Sequence, residues 1–476
     1  MGENKQIFIL TNFSQYLKSY SPIIVVQSQL EMFLSHGYNP VLITDEAWDV
    51  PEDSIFSRVR TIRLPHVVID GTVVDEAFER DVDKLYEELK TILPENAIVI
   101  THDLIFLPDY VKHNVACRRL AAERSSIQWL HWIHSATSPG KLIEERAMFG
   151  EKYKQHLSER FPNSVVCFPN SFDIPRVARN YNYEEDQVLE VPHATDLTEI
   201  LSPRFKRLYD EKRLGDKEVL MCYPLRLDRG KQAECNVKFI AACKREGTTA
   251  HVVFCDFQST GDDKVVYRED LKKLARELGI ENDVTFMSEF DESAQMEVAH
   301  QEILLFQFLC NVFMLPSISE TYSLVAQEAM GAGNFCILNH DFPPMQRIYG
   351  KNAIYRQFSG SIGFDGFDGS IDTTHQPEEN YYTDIARAVK YYLENDKVLR
   401  GKTWVRVYRN HSYVFKHFVE PILNKEDQYD EEEPEVLGDI ASVLGAGTDT
   451  GGSEQPTPLP RQNRSESNQV DNGSAV

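Results

Sequence analysis

Two glutamates, Glu320 and Glu328, are separated by seven residues in the stretch Leu315 to Asn339, LPSISETYSLVAQEAMGAGNFCILN. The stretch reads as strand end, loop, helix, tight turn and second strand. Pro316 and Ser317 close the first strand, and Thr321 or Ser323 is placed to cap a helix reaching about Met330. Gly331 and Gly333 supply the backbone freedom for a helix stop. A helix N-terminus carries unpaired N–H groups and partial positive charge, so the loop Glu320, Thr321, Tyr322, Ser323, Leu324 is a natural phosphate seat. Carboxylates aimed at a diphosphate would repel it. They fit if they accept hydrogen bonds from neutral hydroxyls on either side of it, one set on a ribose and one on a sugar. That is the outline of a nucleotide-sugar site.

A second cluster supplies the missing cations. Leu225–Lys231, LRLDRGK, follows a strand-like run, which puts Arg226 and Lys231 on a loop at the carboxyl edge of a parallel sheet. An Arg fork and a Lys point charge together neutralise a diphosphate leaving group. Alone they would read as a solvated loop; the glutamate pair later in the chain favours the functional reading. In the first half, the run Ile127–Ile133 ends in His134-Ser135, and the preceding strand ends in His102-Asp103. Both lie at carboxyl edges, whereas His131 alternates into the strand itself. Asp365-Gly366-Phe367-Asp368 is a glycine-rich acidic turn, and no Asp-x-Asp pair follows a strand, so no metal is expected.

The elements that must position these residues alternate. Ile7–Thr11, a Pro22-initiated helix ending at Gly37, and Val41–Thr44 form one βαβ unit, which implies a parallel sheet with crossover helices. Strands are expected at 97–101, 127–133, 165–168 and 188–191, with helices at 74–93, 107–123 and 173–181. A charged linking stretch, Leu201–Leu214, leads to a second series. Its strands are 219–223, 251–254, 284–287, 312–315, 335–338 and 353–355, and its helices 232–246, 268–278 and 292–301. A loop over 359–372 and two helices, 382–394 and roughly 397–418, follow. Residues 1–200 and 201–401 are thus two domains, with a segment of about 402–424 after them and a polar, disordered tail over 425–476.

In this order the motifs resemble retaining GT-B glycosyltransferases of the family 4 kind, across about residues 5–420. The family's Glu-x7-Glu matches Glu320 and Glu328, and its Gly-Arg-Leu…Lys-Gly matches Leu225-Arg226-Leu227…Lys231, with Gly230 before the lysine. The segment PNSFDIPRVARNYNYEEDQVLEVPHATDL is similar to the end of the family's first domain, with His193-Ala194 in place of Asn-Gly. The resemblance implies an α/β GT-B fold: two Rossmann-like parallel-sheet domains facing a cleft, with the C-terminal helix crossing back to the first. It implies that Glu328 binds ribose hydroxyls, Glu320 the donor sugar, Arg226 and Lys231 the diphosphate, with the amides of Thr321–Leu324 completing the seat. His134 would face the donor as a functional histidine, and substitution at the anomeric carbon would be front-face, without cofactor or metal. Tyr20-Ser21-Pro22 replaces the family's glycine pair near the first helix, and Ser21 offers a hydroxyl there. A nucleotide-sugar epimerase on the same fold and a non-catalytic glycan- or protein-binding relative are the competing readings; the glutamate spacing argues against the first and the intact cations against the second.

Composition sets the outer limits. A chain of 476 residues, 42% hydrophobic, has the length and core for two α/β domains. Of the net charge of −24, residues 426–476 hold −10, twelve acids against Arg461 and Arg464, which leaves −14 elsewhere. An acidic body disfavours nucleic acid and anionic membranes as partners. The acceptor is therefore a hydroxyl of a saccharide, lipid-linked sugar or protein before a hydroxymethylated DNA base; a protein partner or a second copy stays open. Eight scattered cysteines read as reduced, buried thiols, and MGENKQ leads into IFILT with no secretory signal, so a soluble cytoplasmic protein is expected. The helix with Lys112, Arg118, Arg119 and Arg124 reads as a solvated face before an acceptor-side patch. Arg400–Lys416, with its interleaved aromatics, reads as packing before nucleic-acid contact.

Overall fold

The computed structural model describes residues 5–64, 74–136, 153, 155–157, 159–318, 320, 322–341, 343–358 and 379–424. The acidic turn at 365–368 and the tail from 425 lie outside them.

Two all-parallel sheets carry the chain. The first joins β1 (Ile7–Leu10), β2 (Val41–Asp45), β3 (Arg60–Leu64), β4 (Ile98–His102), β5 (Gln128–Trp132), β6 (Ser164–Phe168) and β7 (Val188–Glu190) in the order β3-β2-β1-β4-β5-β6-β7. The second joins β8 (Val219–Pro224), β9 (Ala250–Cys255), β10 (Val284–Phe286), β11 (Val312–Leu315), β12 (Phe335–Asn339) and β13 (Ile354–Arg356) as β10-β9-β8-β11-β12-β13. Both are doubly wound, and the order reverses between β1 and β4 in one and between β8 and β11 in the other.

Most inner strands read as largely apolar runs because both faces are covered. Ile7 and Ile9 pack on one side of the first sheet with α1 (Ser21–Ser35), while Phe8 and Leu10 pack on the other with α2 (Glu76–Ile92) and α3 (Val111–Glu123). In β8 the same alternation sends Met221 and Tyr223 to one core and Leu220 and Cys222 to the other. Pro22 sits at the first turn of α1, and Gly37 stops it at φ +81°. A short helix, α4 (Ile174–Tyr181), precedes β7.

Some expectations need correction. The charged stretch 201–214 is not a linker but contains α5 (Pro203–Glu211), whose Phe205, Leu208 and Tyr209 are buried in the second half's core. Residues 292–301 do not form one helix. A single turn at Glu292–Ala294 is followed by α8 (His300–Leu309), after α6 (Ala233–Arg245) and α7 (Asp262–Glu277). The apolar run from Ile303 thus holds a helix end and a strand, parted by Asn311, whose side chain accepts from Leu220 N–H at 3.0 Å and donates to Glu218 O at 2.6 Å.

After α9 (Leu324–Gly331), α10 (Pro343–Tyr349), α11 (Glu379–Asn395) and α12 (Lys397–Tyr408), the chain turns at Arg409-Asn410 and returns to the first sheet. Val414, Phe415, Val419, Ile422 and Leu423 share a core with Ile7, Leu30 and Phe33. Arg406 is fully buried and donates to the carbonyls of Leu214, Lys217 and Glu218; Arg409 lies 4.1 Å over the Trp404 ring. The basic residues of α3 and its exit find partners within the chain, and Lys112 is buried, contrary to a solvated face. Lys112 pairs with Asp81 at 2.6 Å, and Arg119 with Asp83 at 2.6 Å and Glu79 at 3.0 Å. Arg118 donates to the carbonyls of His156, Glu159 and Arg160, and Arg124 to that of Lys90.

Candidate functional site

In a doubly wound sheet the two loops at the reversal of strand order separate and leave a crevice at the carboxyl edge. In the second sheet those loops follow β8 and β11, and they carry LRLDRGK and the residues before α9. Backbone contacts join them: Gly230 O accepts from Ile318 N–H at 3.0 Å and from the Ser317 hydroxyl at 3.4 Å. Tyr223, buried at the end of β8, donates its hydroxyl to Lys231 O at 3.1 Å. So anchored, the Lys231 ammonium meets the Glu320 carboxylate in a partly buried ion pair. Arg226 is exposed and held only loosely, with Nε 3.7 Å from Asp228 Oδ2.

The start of α9 has a left-handed cap. Ser323 adopts φ +61°, and its hydroxyl accepts from Ala326 N–H at 3.4 Å. The Tyr349 hydroxyl fixes this turn from α10 by donating to the carbonyls of Tyr322 (2.9 Å) and Ser323 (2.7 Å). Those carbonyls are thereby engaged from behind. Tyr322 and Leu324 are exposed, and Thr321 lies outside the described residues. Glu328, one turn into α9, holds the exposed His300 with Oε1 2.8 Å from Nε2. The structure therefore brings Lys231 and Glu320 into contact, with Arg226 on the same loop as the lysine and Glu328 paired elsewhere. Neither His300 nor Tyr349 was singled out in the sequence. The first begins a helix hidden in an apolar run, and the second is one tyrosine among many.

In the first sheet the reversal lies between β1 and β4. His102 is the last residue of β4, and Asp103 turns away in a left-handed conformation at φ +53°. Asp103 Oδ1 accepts the His134 backbone N–H at 3.0 Å, which fixes His134 beyond the end of β5; burial lifts the Asp103 carboxyl to about 6. His134 Nε2 lies 3.0 Å from His102 Nδ1, and His102 Nε2 lies 2.9 Å from Gln29 Oε1 on α1. Burial holds both imidazoles below the usual histidine range, and at His102 the neighbouring His134 and His193 disfavour charge further. The His193 ring stacks near His134, with 5.8 Å between centroids. His131 is a core histidine, bonded at 2.9 Å to Thr101 Oγ1 and pushed by burial to about 3.

One more polar cluster lies where the segment leading into α5 meets the returning segment. Glu31, Asp196 and His411 bring oxygen and nitrogen atoms within 4.8 Å of one another beside a cavity of about 520 Å³. Lys206 already supplies a cation there, 2.9 Å from Asp196 Oδ2, and the Ser28 hydroxyl lies 2.9 Å from His411 Nε2. This cluster ties together α1, the start of α5 with the segment before it, and the return.

Solved structures resemble the chain along nearly their whole length at low identity. A glycosyltransferase from Rickettsia africae is 11% identical, over 90% of this chain and 100% of that one, with a TM-score of 0.34. HepE from Anabaena, solved with UDP, is 12% identical over 92% and 99% (TM-score 0.30). Sucrose-phosphate synthase from Thermosynechococcus elongatus is 18% identical over 89% and 97% (TM-score 0.29). A comparison with curated proteins finds no match. Residues 205–354, which run from α5 to β13 and hold Arg226, Lys231, Glu320 and Glu328, match the family described as glycosyl transferases group 1.

Proposed function

We propose that the chain is a retaining glycosyltransferase that moves a sugar from a nucleotide-diphosphate sugar to a hydroxyl acceptor without a metal. The observation that carries this reading is the placement of Lys231, Arg226 and the capped start of α9 on the two loops flanking the strand-order reversal of the second sheet, inside the segment that matches the family. Such a crevice with two cations and unpaired helix amides suits a diphosphate.

In this reading the donor's β-phosphate takes over Lys231 from Glu320, which frees that carboxylate to accept from sugar hydroxyls. Arg226, exposed and weakly paired, closes on the phosphates. Glu328 exchanges His300 for the ribose hydroxyls. The bond from the anomeric carbon to the β-phosphate oxygen breaks while the acceptor oxygen bonds to the same face of that carbon. The acceptor's proton leaves on the departing phosphate oxygen. No enzyme nucleophile is needed, because charge stabilisation of the leaving group and orientation carry the rate. His134 and its neighbours on the first sheet's carboxyl edge would meet the sugar or the acceptor. The buried free cysteines suit a reducing compartment, and no helix among the described residues is long and apolar enough to cross a membrane.

A donor-hydrolysis screen over several nucleotide sugars, followed by acceptor trials, tests the reading. Arg226→Ala is expected to lower turnover on the order of a hundredfold, as for loss of one oxyanion donor. Glu328→Ala is expected chiefly to raise the donor KM. Unchanged kinetics in the Arg226 variant would remove the leaving-group role, and hydrolysis of no donor by the wild type would remove the reaction.

A further inference from the structure

The sheet edge that carries His134 holds a polar chain running inward that the transfer reaction has not yet used. Gln29, on α1, is 5% exposed and lies between the core and His102, which is 2% exposed. Its Oε1 faces His102 Nε2 at 2.9 Å, and His102 Nδ1 faces His134 Nε2 at 3.0 Å. Each ring nitrogen in such a chain is either donor or acceptor, so fixing one end fixes the rest. An amide oxygen only accepts. His102 must therefore carry its proton on Nε2, which leaves Nδ1 with a lone pair. His134 must in turn carry its proton on Nε2 to bond to that lone pair, and His134 Nδ1 is left as an acceptor. Resting on the glycosyltransferase reading, we propose that Gln29 and His102 are positioning residues: they hold His134 in its Nε2–H tautomer so that Nδ1 accepts a hydrogen bond from a hydroxyl of the donor sugar or the acceptor.

Three further observations support it. Asp103 grips the His134 backbone N–H at 3.0 Å, so the ring's base is fixed independently of the chain of side chains. Burial disfavours the charged form of both histidines, which keeps one proton per ring. Gln29 also places its amide nitrogen in the core without a partner among the described residues, a cost a helix-interior position would shed by carrying leucine. A polar side chain kept there at a cost is accounted for by the bond its oxygen makes.

Long-range 15N–1H spectra of histidine-labelled full-length protein at pH 7.5 test this directly, with the His134 signals assigned as those lost in His134→Asn. A lone-pair shift at Nδ1 and a protonated shift at Nε2 are expected. Protonation at Nδ1, or at both nitrogens, overturns the proposal, whether or not a donor has been found. Kinetics form a second arm once one has. Gln29→Leu, which removes the acceptor, is expected to mix the tautomers and lower kcat in the same direction as His102→Phe. His102→Phe is expected to mix the tautomers and lower kcat on the order of tenfold to a hundredfold, with the donor KM held within about twofold. A lower melting temperature with tautomer and kcat unchanged would reduce His102 to a packing role and refute the assignment.

Discussion

Asp103 combines two costs at one residue. A non-glycine residue at φ +53° is strained, and a carboxyl lifted to about 6 by burial is destabilising when ionised. The unfolded chain loses this proton near the usual carboxyl value of 3.8, the folded chain only near 6. Between those values the folded state binds more protons, so stability falls as pH rises through the window and stays low above it. Asp103→Asn keeps an acceptor for the His134 N–H and removes the titration. Melting curves from pH 3 to 8 should show the variant gaining on the wild type across the window, by an amount on the order of 3 kcal/mol; parallel curves would contradict the burial account. At this scale the sequence was informative where chemistry follows residue type. Lys231, Glu320 and His134 announced themselves by charge and by their place after strands. Gln29 did not, because beside Gln27, Ser28 and Glu31 it looks like part of the helix's solvent face until the fold turns it inward. His300 did not either, since its partner Glu328 is distant in sequence and the contact needs α8 beside α9.

Individual elements depend on a few backbone decisions. The α9 N-terminus, on which the proposed phosphate seat rests, starts from Ser323 in the left-handed region with its hydroxyl bonded to Ala326 N–H. Ser323→Ala removes the cap and keeps the unfavourable backbone, so a loss of about 1–2 kcal/mol is expected. Ser323→Gly also removes the cap but relieves the backbone, and should cost only a few tenths. Urea titrations of the two variants give the order, and a glycine variant less stable than the alanine one would show that the turn carries no strain. The strands and longer helices were legible in the sequence because period and capping are local. The misreadings share a cause. The helix expected at 292–301 spans His300–Leu309 instead, because Ile303–Leu309 is mostly apolar and its period does not mark it as a helix, whereas the strand at 312–315 was read where it lies. In Pro203–Glu211 the charges dominate the composition, while Phe205 and Leu208 at helical spacing supply the core contact. Strand β3, RTIRL, was missed because this edge strand carries Arg60 and Arg63 and little apolar pattern.

At the scale of the whole molecule, the last described residues stabilise the first sheet after the chain has completed the second. The return passes Thr195, whose N–H donates to Arg409 O at 2.7 Å, and then lays Phe415 against His36, with ring centroids 3.9 Å apart, beside Phe33 and Tyr38. Before the turn, Arg406 is committed to the second half, satisfying the carbonyls of Leu214, Lys217 and Glu218. Two substitutions nine residues apart should therefore weaken different halves. Arg406→Met leaves those buried carbonyls unsatisfied, and a loss of roughly 3–5 kcal/mol is expected. Phe415→Ala opens a cavity against α1, with a similar expected loss of roughly 3–5 kcal/mol. Trp48, Trp129 and Trp132 are buried in the first half, and only Trp404 lies beyond it. Tryptophan fluorescence therefore reports mainly the first half. In a thermal melt followed by fluorescence and by calorimetry, Phe415→Ala should lower the fluorescence midpoint by several degrees, on the order of 10 °C. Arg406→Met should lower a calorimetric component that fluorescence follows poorly. Equal shifts by both probes in both variants would mean that the halves melt as one unit, and that the returning segment couples them rather than capping the first sheet alone.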